Sequence, residues 1–146
     1  MAITSEICNS FKVEILTGVH NFTASTGDTF NLALYTSSAT LDKDTTAYSS
    51  TNEITNTSGT SYSAKGNALT SVTPVLSTDT AVCDFANTSW TSASFTARGC
   101  LIFNDDAAGD PAVCAIDFGG DKTVTSGTFT IEFPAASAAT AIIGIA

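Results

Sequence analysis

The sequence predicts a mainly β protein: a single β-sandwich or jelly-roll-like domain over residues 1–146, with one N-terminal α-helix. Three observations predict it. Residues Phe95 to Phe133 set two apolar runs, Cys100–Phe103 and Ala112–Phe118, around an acidic turn; a second acidic turn, Gly119–Lys122, leads to Gly127–Phe133, where apolar and polar residues alternate. About eight strand-like segments recur at intervals of about ten residues, the rhythm of small all-β domains. Charged residues make up only 13% of the chain, against roughly 25% in ordinary soluble domains. Ser and Thr fill the vacated surface, while nine Phe, three Tyr and one Trp supply a core.

Residues 5–18 carry the helix. Thr4 or Ser5 can cap it, Glu6 lies in its first turn and Gly18 suits the position just past its end. Ile7, Phe11 and Ile15 recur every four residues, and Cys8 and Leu16 widen that stripe. Such a face needs a partner, either the chain's own sheet or a neighbouring subunit. Thr29–Ser37 follows as a strand with Phe30, Leu32 and Leu34 on one face. The long hydroxyl-rich stretch from Ser38 to Gly66 has turn signals at Asp42–Asp44 and Asn56–Gly59, and short edge strands at Ala47–Ser49 and Ile54. A connection of that length suits a functional or interface loop. Ala68–Leu76 and Thr80–Phe85 form two strands joined by the turn Ser77–Asp79, and Trp90 and Phe95 belong to another strand or corner. Thr140–Ala146 is an apolar strand whose Ile143 and Ile145 are tied into a sheet or a partner. With no internal repeat and no linker, one domain of 146 residues is the simplest count.

Net charge is −9 with a sequence pI of about 4.1, and only five Lys or Arg are present. Phosphate contacts come mainly from basic side chains, so neither nucleic acid nor an anionic membrane is an expected partner. Cys8, Cys83, Cys100 and Cys114 fit no metal-binding spacing, and the last three lie in apolar runs. They read as small buried hydrophobes of a reduced compartment. The start of the chain has no basic and apolar leader, and no apolar run approaches the roughly 20 residues of a membrane span, so synthesis and folding in a cytoplasm are expected. The sequons at Asn21, Asn56 and Asn87 carry no meaning without secretion.

No catalytic or cofactor-binding residue is expected, and the chain does not read as an enzyme. A Ser-His-Asp or Cys-His arrangement would have to use His20, the only histidine, which reads as a structural residue at the helix C-terminus. Gly119-Gly120 lacks the surroundings of a phosphate loop. Asp105, Asp106 and Asp110 crowd one turn and are the candidate calcium ligands, although a solvated hairpin turn explains them better. Arg98, between apolar residues, either reaches the surface or pairs with a nearby aspartate, and it is a candidate for an inter-subunit salt bridge. The interface candidates are therefore Ile7, Phe11, Ile15, Arg98, Ile143 and Ile145.

Four phrases carry a resemblance that covers most of the chain. Asn9–Phe22 (NSFKVEILTGVHNF), Thr29–Leu41 (TFNLALYTSSATL), Phe95–Asp105 (FTARGCLIFND) and Asp117–Ile131 (DFGGDKTVTSGTFTI) resemble a group of small tailed-bacteriophage virion structural proteins. The four cysteines depart from that pattern. The resemblance implies virion membership and transfers no catalytic residue. It suggests a capsid decoration or cement protein, made in the host cytoplasm and assembled as a homo-oligomer, most often a trimer, on the major capsid protein. A tail, baseplate or fibre component is the main rival. A receptor- or glycan-binding module is the third, with Trp90, Tyr48 and Tyr62 as its aromatic candidates.

Overall fold

The computed structural model describes residues 1–55 and 61–146. The chain is mainly β, with two antiparallel sheets and, among the described residues, one α-helix. Its elements are β1 (Glu6–Ile7), α1 (Asn9–Leu16), β2 (Phe30–Tyr35), β3 (Asn67–Ala68), β4 (Ser71–Ser77), β5 (Thr80–Phe85), β6 (Thr88–Asn104), β7 (Ala112–Ile131) and β8 (Ile143–Ile145). A five-stranded sheet has the order β1-β7-β6-β2-β3, and a three-stranded sheet the order β4-β5-β8. No helix among the described residues is long and apolar enough to cross a membrane.

The helix is shorter than its periodicity predicts. Glu6 and Ile7 leave it to pair with Ala115 and Cys114 as β1. Cys8 takes the N-cap position in an extended conformation, and its N–H donates to Val113 O at 3.0 Å. Ser5 caps nothing; its Oγ accepts the Asp117 N–H at 2.8 Å. The Thr4 N–H donates to Leu41 O and the Cys8 N–H to Val113 O, and a helical turn through Glu6 and Ile7 would break their pairing with β7. The far end follows expectation: Thr17 closes α1 and Gly18 follows at φ +78°.

β2 is buried on both faces, every residue from Phe30 to Tyr35, and β3 and β6 pair with its two edges. The expected strand Ala68–Leu76 divides between the sheets. β3 pairs with β2, the Leu69 N–H donates to Phe30 O at 2.7 Å, and the chain then crosses to β4. The two short edge strands after Ser38 reduce to single bridges, Ala47 to Pro111 and Glu53 to Tyr35. The turn expected at Asn56–Gly59 lies outside the described residues. β4 and β5 form the expected hairpin, with Ser77 opposite Thr80.

The hairpin β6–β7 is the spine of the molecule. Its turn is the acidic segment after Asn104, as the sequence predicts. The second acidic turn does not exist: β7 runs unbroken through Gly119–Lys122. Gly99 faces Asp117 and Ala97 faces Lys122, so two residues of advance on β6 match five on β7. The extra residues form a bulge in which Gly119 adopts φ +77°. Gly and Asp there signal a bend within one strand, not the end of it. One core cluster joins residues of both sheets, among them Phe30, Leu101, Phe85 and Ile143.

Candidate interaction surface

The interface residues read from the sequence largely converge. Ile7 on β1, Phe11 and Ile15 on α1, and Ile143 and Ile145 on β8 line one apolar groove of about 310 Å³, with Leu16 at its rim. Phe11 and Ile143 are buried and form its floor. Leu16 is 87% exposed and Ile145 55% exposed, so the rim is left to solvent. Ile15, Ile143 and Ile145 also line a second groove, with Val82 and Cys83. β8 is thus an apolar rib, and it lies at the edge of its sheet. Val75 (56% exposed) and Leu76 (71%) on β4 extend the apolar exposure of the same sheet. The sequence placed Ile7 on the helix; it reaches the groove from a strand instead.

Arg98 does not line this groove. It spans the β7 bulge, with Nε 3.2 Å from Asp117 Oδ1 and Nη1 3.3 Å from Asp121 Oδ1. Hydrogen bonds to Asp121 and Asp117 raise its already high pKa. The aspartate pairing predicted for Arg98 is therefore present within one chain.

Lys65 sits among the calcium candidates. Its Nζ is 2.7 Å from Asp105 Oδ1 and 2.9 Å from Asp110 Oδ2. Asp106 turns away to accept the Thr29 N–H. The ammonium already occupies the place a cation would take between Asp105 and Asp110, and those two bonds hold Lys65 above the ordinary lysine range. Among the described residues, no group of three or more His, Cys, Asp or Glu side chains is arranged to hold a metal ion. The same lysine fixes the long loop: Lys65 N–H donates to Glu53 Oε1 at 2.8 Å. Glu53 is buried and also accepts from the hydroxyls of Tyr48 and Tyr62, each at 2.6 Å. Burial, then the Glu53 carboxylate, pushes the Tyr48 phenol up to about 12 and raises that of Tyr62 further.

The aromatic candidates for sugar contacts are not exposed. Trp90 and Tyr62 are fully buried and lie 5.7 Å apart between ring centroids, and Tyr48 stacks on Phe103 at 4.7 Å. All three pack in or against the core, so none of them presents an open ring face on which a sugar could stack. His20 is also a core residue. Its side chain is shielded from solvent, with Glu14 and Asn104 as hydrogen-bond partners. The sequence placed it correctly after the helix but carried no sign of its burial, which depends on Asn104, 84 residues away. The four cysteines are free thiols: Cys8, Cys100 and Cys114 are buried and Cys83 partly so. Burial raises the pKa of each, which makes them poor nucleophiles.

No known protein family matches the chain, and neither a curated protein nor a solved structure matches it.

Proposed function

We propose that this protein is a structural component of a bacteriophage virion, a decoration or cement protein that binds the assembled shell through its α1–β8 face. The observation that carries this reading is the groove rimmed by Leu16 and Ile145, apolar residues left in water on an acidic, hydroxyl-rich chain. Stacked as a β-sandwich, the two sheets form a stiff block able to bridge capsomers without chemistry. The partner is the major capsid protein, and the block acts as a homo-oligomer, in the simplest case a trimer at a symmetry axis. A ligand that binds only the assembled shell stabilises it by mass action. The four phage-like phrases support the same placement.

Purified protein mixed with undecorated shells should co-sediment at a stoichiometry that matches the capsomers. Leu16→Asp with Ile145→Asp should weaken binding at least about thirtyfold per side chain, since burying each is worth roughly 2 kcal/mol. Both side chains are exposed, so circular dichroism should be unchanged. A stoichiometry that matches the symmetry of a tail would move the protein to the tail or baseplate. Wild-type binding by the doubly substituted protein would remove α1–β8 as the contact.

A further inference from the structure

The chain has a single histidine, and its surroundings allow only one protonation state to satisfy every hydrogen bond. The His20 ring lies beneath α1, 4.9 Å from the Phe11 ring and 6.1 Å from that of Phe30. Glu14 Oε2 is 3.2 Å from Nε2, and Asn104 Nδ2 is 3.2 Å from Nδ1. The Asn104 amide is oriented independently of the ring: its Oδ1 accepts the N–H groups of Asp106 at 3.0 Å and Ala107 at 3.1 Å. The amide nitrogen, which can only donate, therefore faces His20. It also donates to Asp28 Oδ2 at 2.8 Å. Nδ1 must accept, so the single ring proton resides on Nε2 and is donated to Glu14.

A second proton would sit on Nδ1 and point at the Asn104 amino group. Turning the amide to accept it would break both hydrogen bonds that shape the β6–β7 turn. The ring would keep Glu14, now as an ion pair, and lose Asn104. The remaining surroundings offer little relief. Asp28, before β2, is held by Asn104 and by the Asn21 N–H at 2.8 Å. On the side of β4, β5 and β8 the shared groove presents Pro74, Val82, Cys83 and Ile143, of which only the Cys83 thiol titrates, and burial raises it.

We propose that His20 is an acid-operated release: its second proton severs the link from α1 to the β6–β7 turn while the ring stays bound to Glu14 and Phe11 on the helix. Ring and helix then move as one unit. α1 has eight residues, too few to persist without tertiary support, so its exchange with solvent rises with the release. Burial lowers the His20 pKa below its usual 6.5, against the opposing pull of Glu14 and Asp28. A ring held neutral in the fold supports it fully above 6.5, and that support is lost as pH falls through the lower folded value. The release goes beyond the virion reading and holds whatever docks on the α1–β8 face.

The full-length protein alone tests it. Long-range ¹H–¹⁵N spectra should show the Nε2–H tautomer near neutral pH and a titration midpoint below 6.5. As pH falls through that midpoint, the α1 amides should lose protection that those of β2 keep. Glu14→Gln keeps an oxygen acceptor but removes the charge that favours the imidazolium, so midpoint and release should both move to lower pH. An Nδ1–H tautomer, a midpoint at or above 6.5, or α1 protection that tracks β2 throughout would overturn the proposal.

Discussion

Glu53 enters the core as a carboxylate and is made tolerable there by three donors, the hydroxyls of Tyr48 and Tyr62 and the Lys65 N–H. A buried charge without such partners is expensive, so the two tyrosines and the glutamate are best regarded as one unit. Glu53→Ala removes three charge-assisted bonds and should destabilise the protein by about 3 kcal/mol. Urea unfolding should show a lower midpoint with an unchanged slope. Glu53→Gln keeps an acceptor and should cost less than half as much. Lys65 links this unit to Asp105 and Asp110 in the hairpin turn. Nothing near Glu53 in the sequence announces these roles. A glutamate in a hydroxyl-rich stretch reads as surface, and its partners lie five residues before it and nine and twelve residues after it, spacings that fit no helical or strand pattern.

At the scale of elements, close approach decides what local pattern leaves open. Gly66 precedes β3 at φ +66°, and a Cβ there would fall on the Leu32 carbonyl oxygen of β2. Gly66→Ala therefore combines left-handed strain with a backbone clash, and should cost about 2 kcal/mol or more. The loss should appear as a lower melting temperature, and amide exchange should locate it at the β2–β3 pair. The helix start shows the same competition. A four-residue repeat from Ile7 to Ile15 is genuine, yet Glu6 and Ile7 form strand bonds to β7 in preference to a first helical turn. Gly119 and Asp121 read as a turn because those residues favour turns, but the pairing of β6 with β7 on both sides keeps them in a bulge.

For the molecule as a whole, the core holds many protonated acids. Burial first, then neighbouring Asp42, Glu14 and Glu6, pushes Cys8 up to about 11, and burial takes Cys114 up to about 12. Cys100, Tyr35 and Tyr62 are raised as well, chiefly by burial. Groups raised in the fold support it below their unfolded values, 9.0 for thiols and 10.0 for phenols, and that support fades as pH climbs through the folded values. Each group that ionises only in the unfolded chain contributes a slope of about 1.4 kcal/mol per pH unit. Melting temperature should therefore fall steeply above about pH 9, and should recover on return to neutrality if thiol oxidation is prevented.

By itself, the sequence determined the β character, a helix near the start, the acidic hairpin turn and the β4–β5 hairpin. These follow from periodicity and turn chemistry, which act over a few neighbouring residues. Tertiary structure alone decided that Gly119–Lys122 is a bulge, that Ile7 lies on a strand, that Trp90 and Tyr62 are buried, and that His20 faces Asn104. Each of these depends on a partner distant in the chain, and burial is a property of the whole packing that no local window contains.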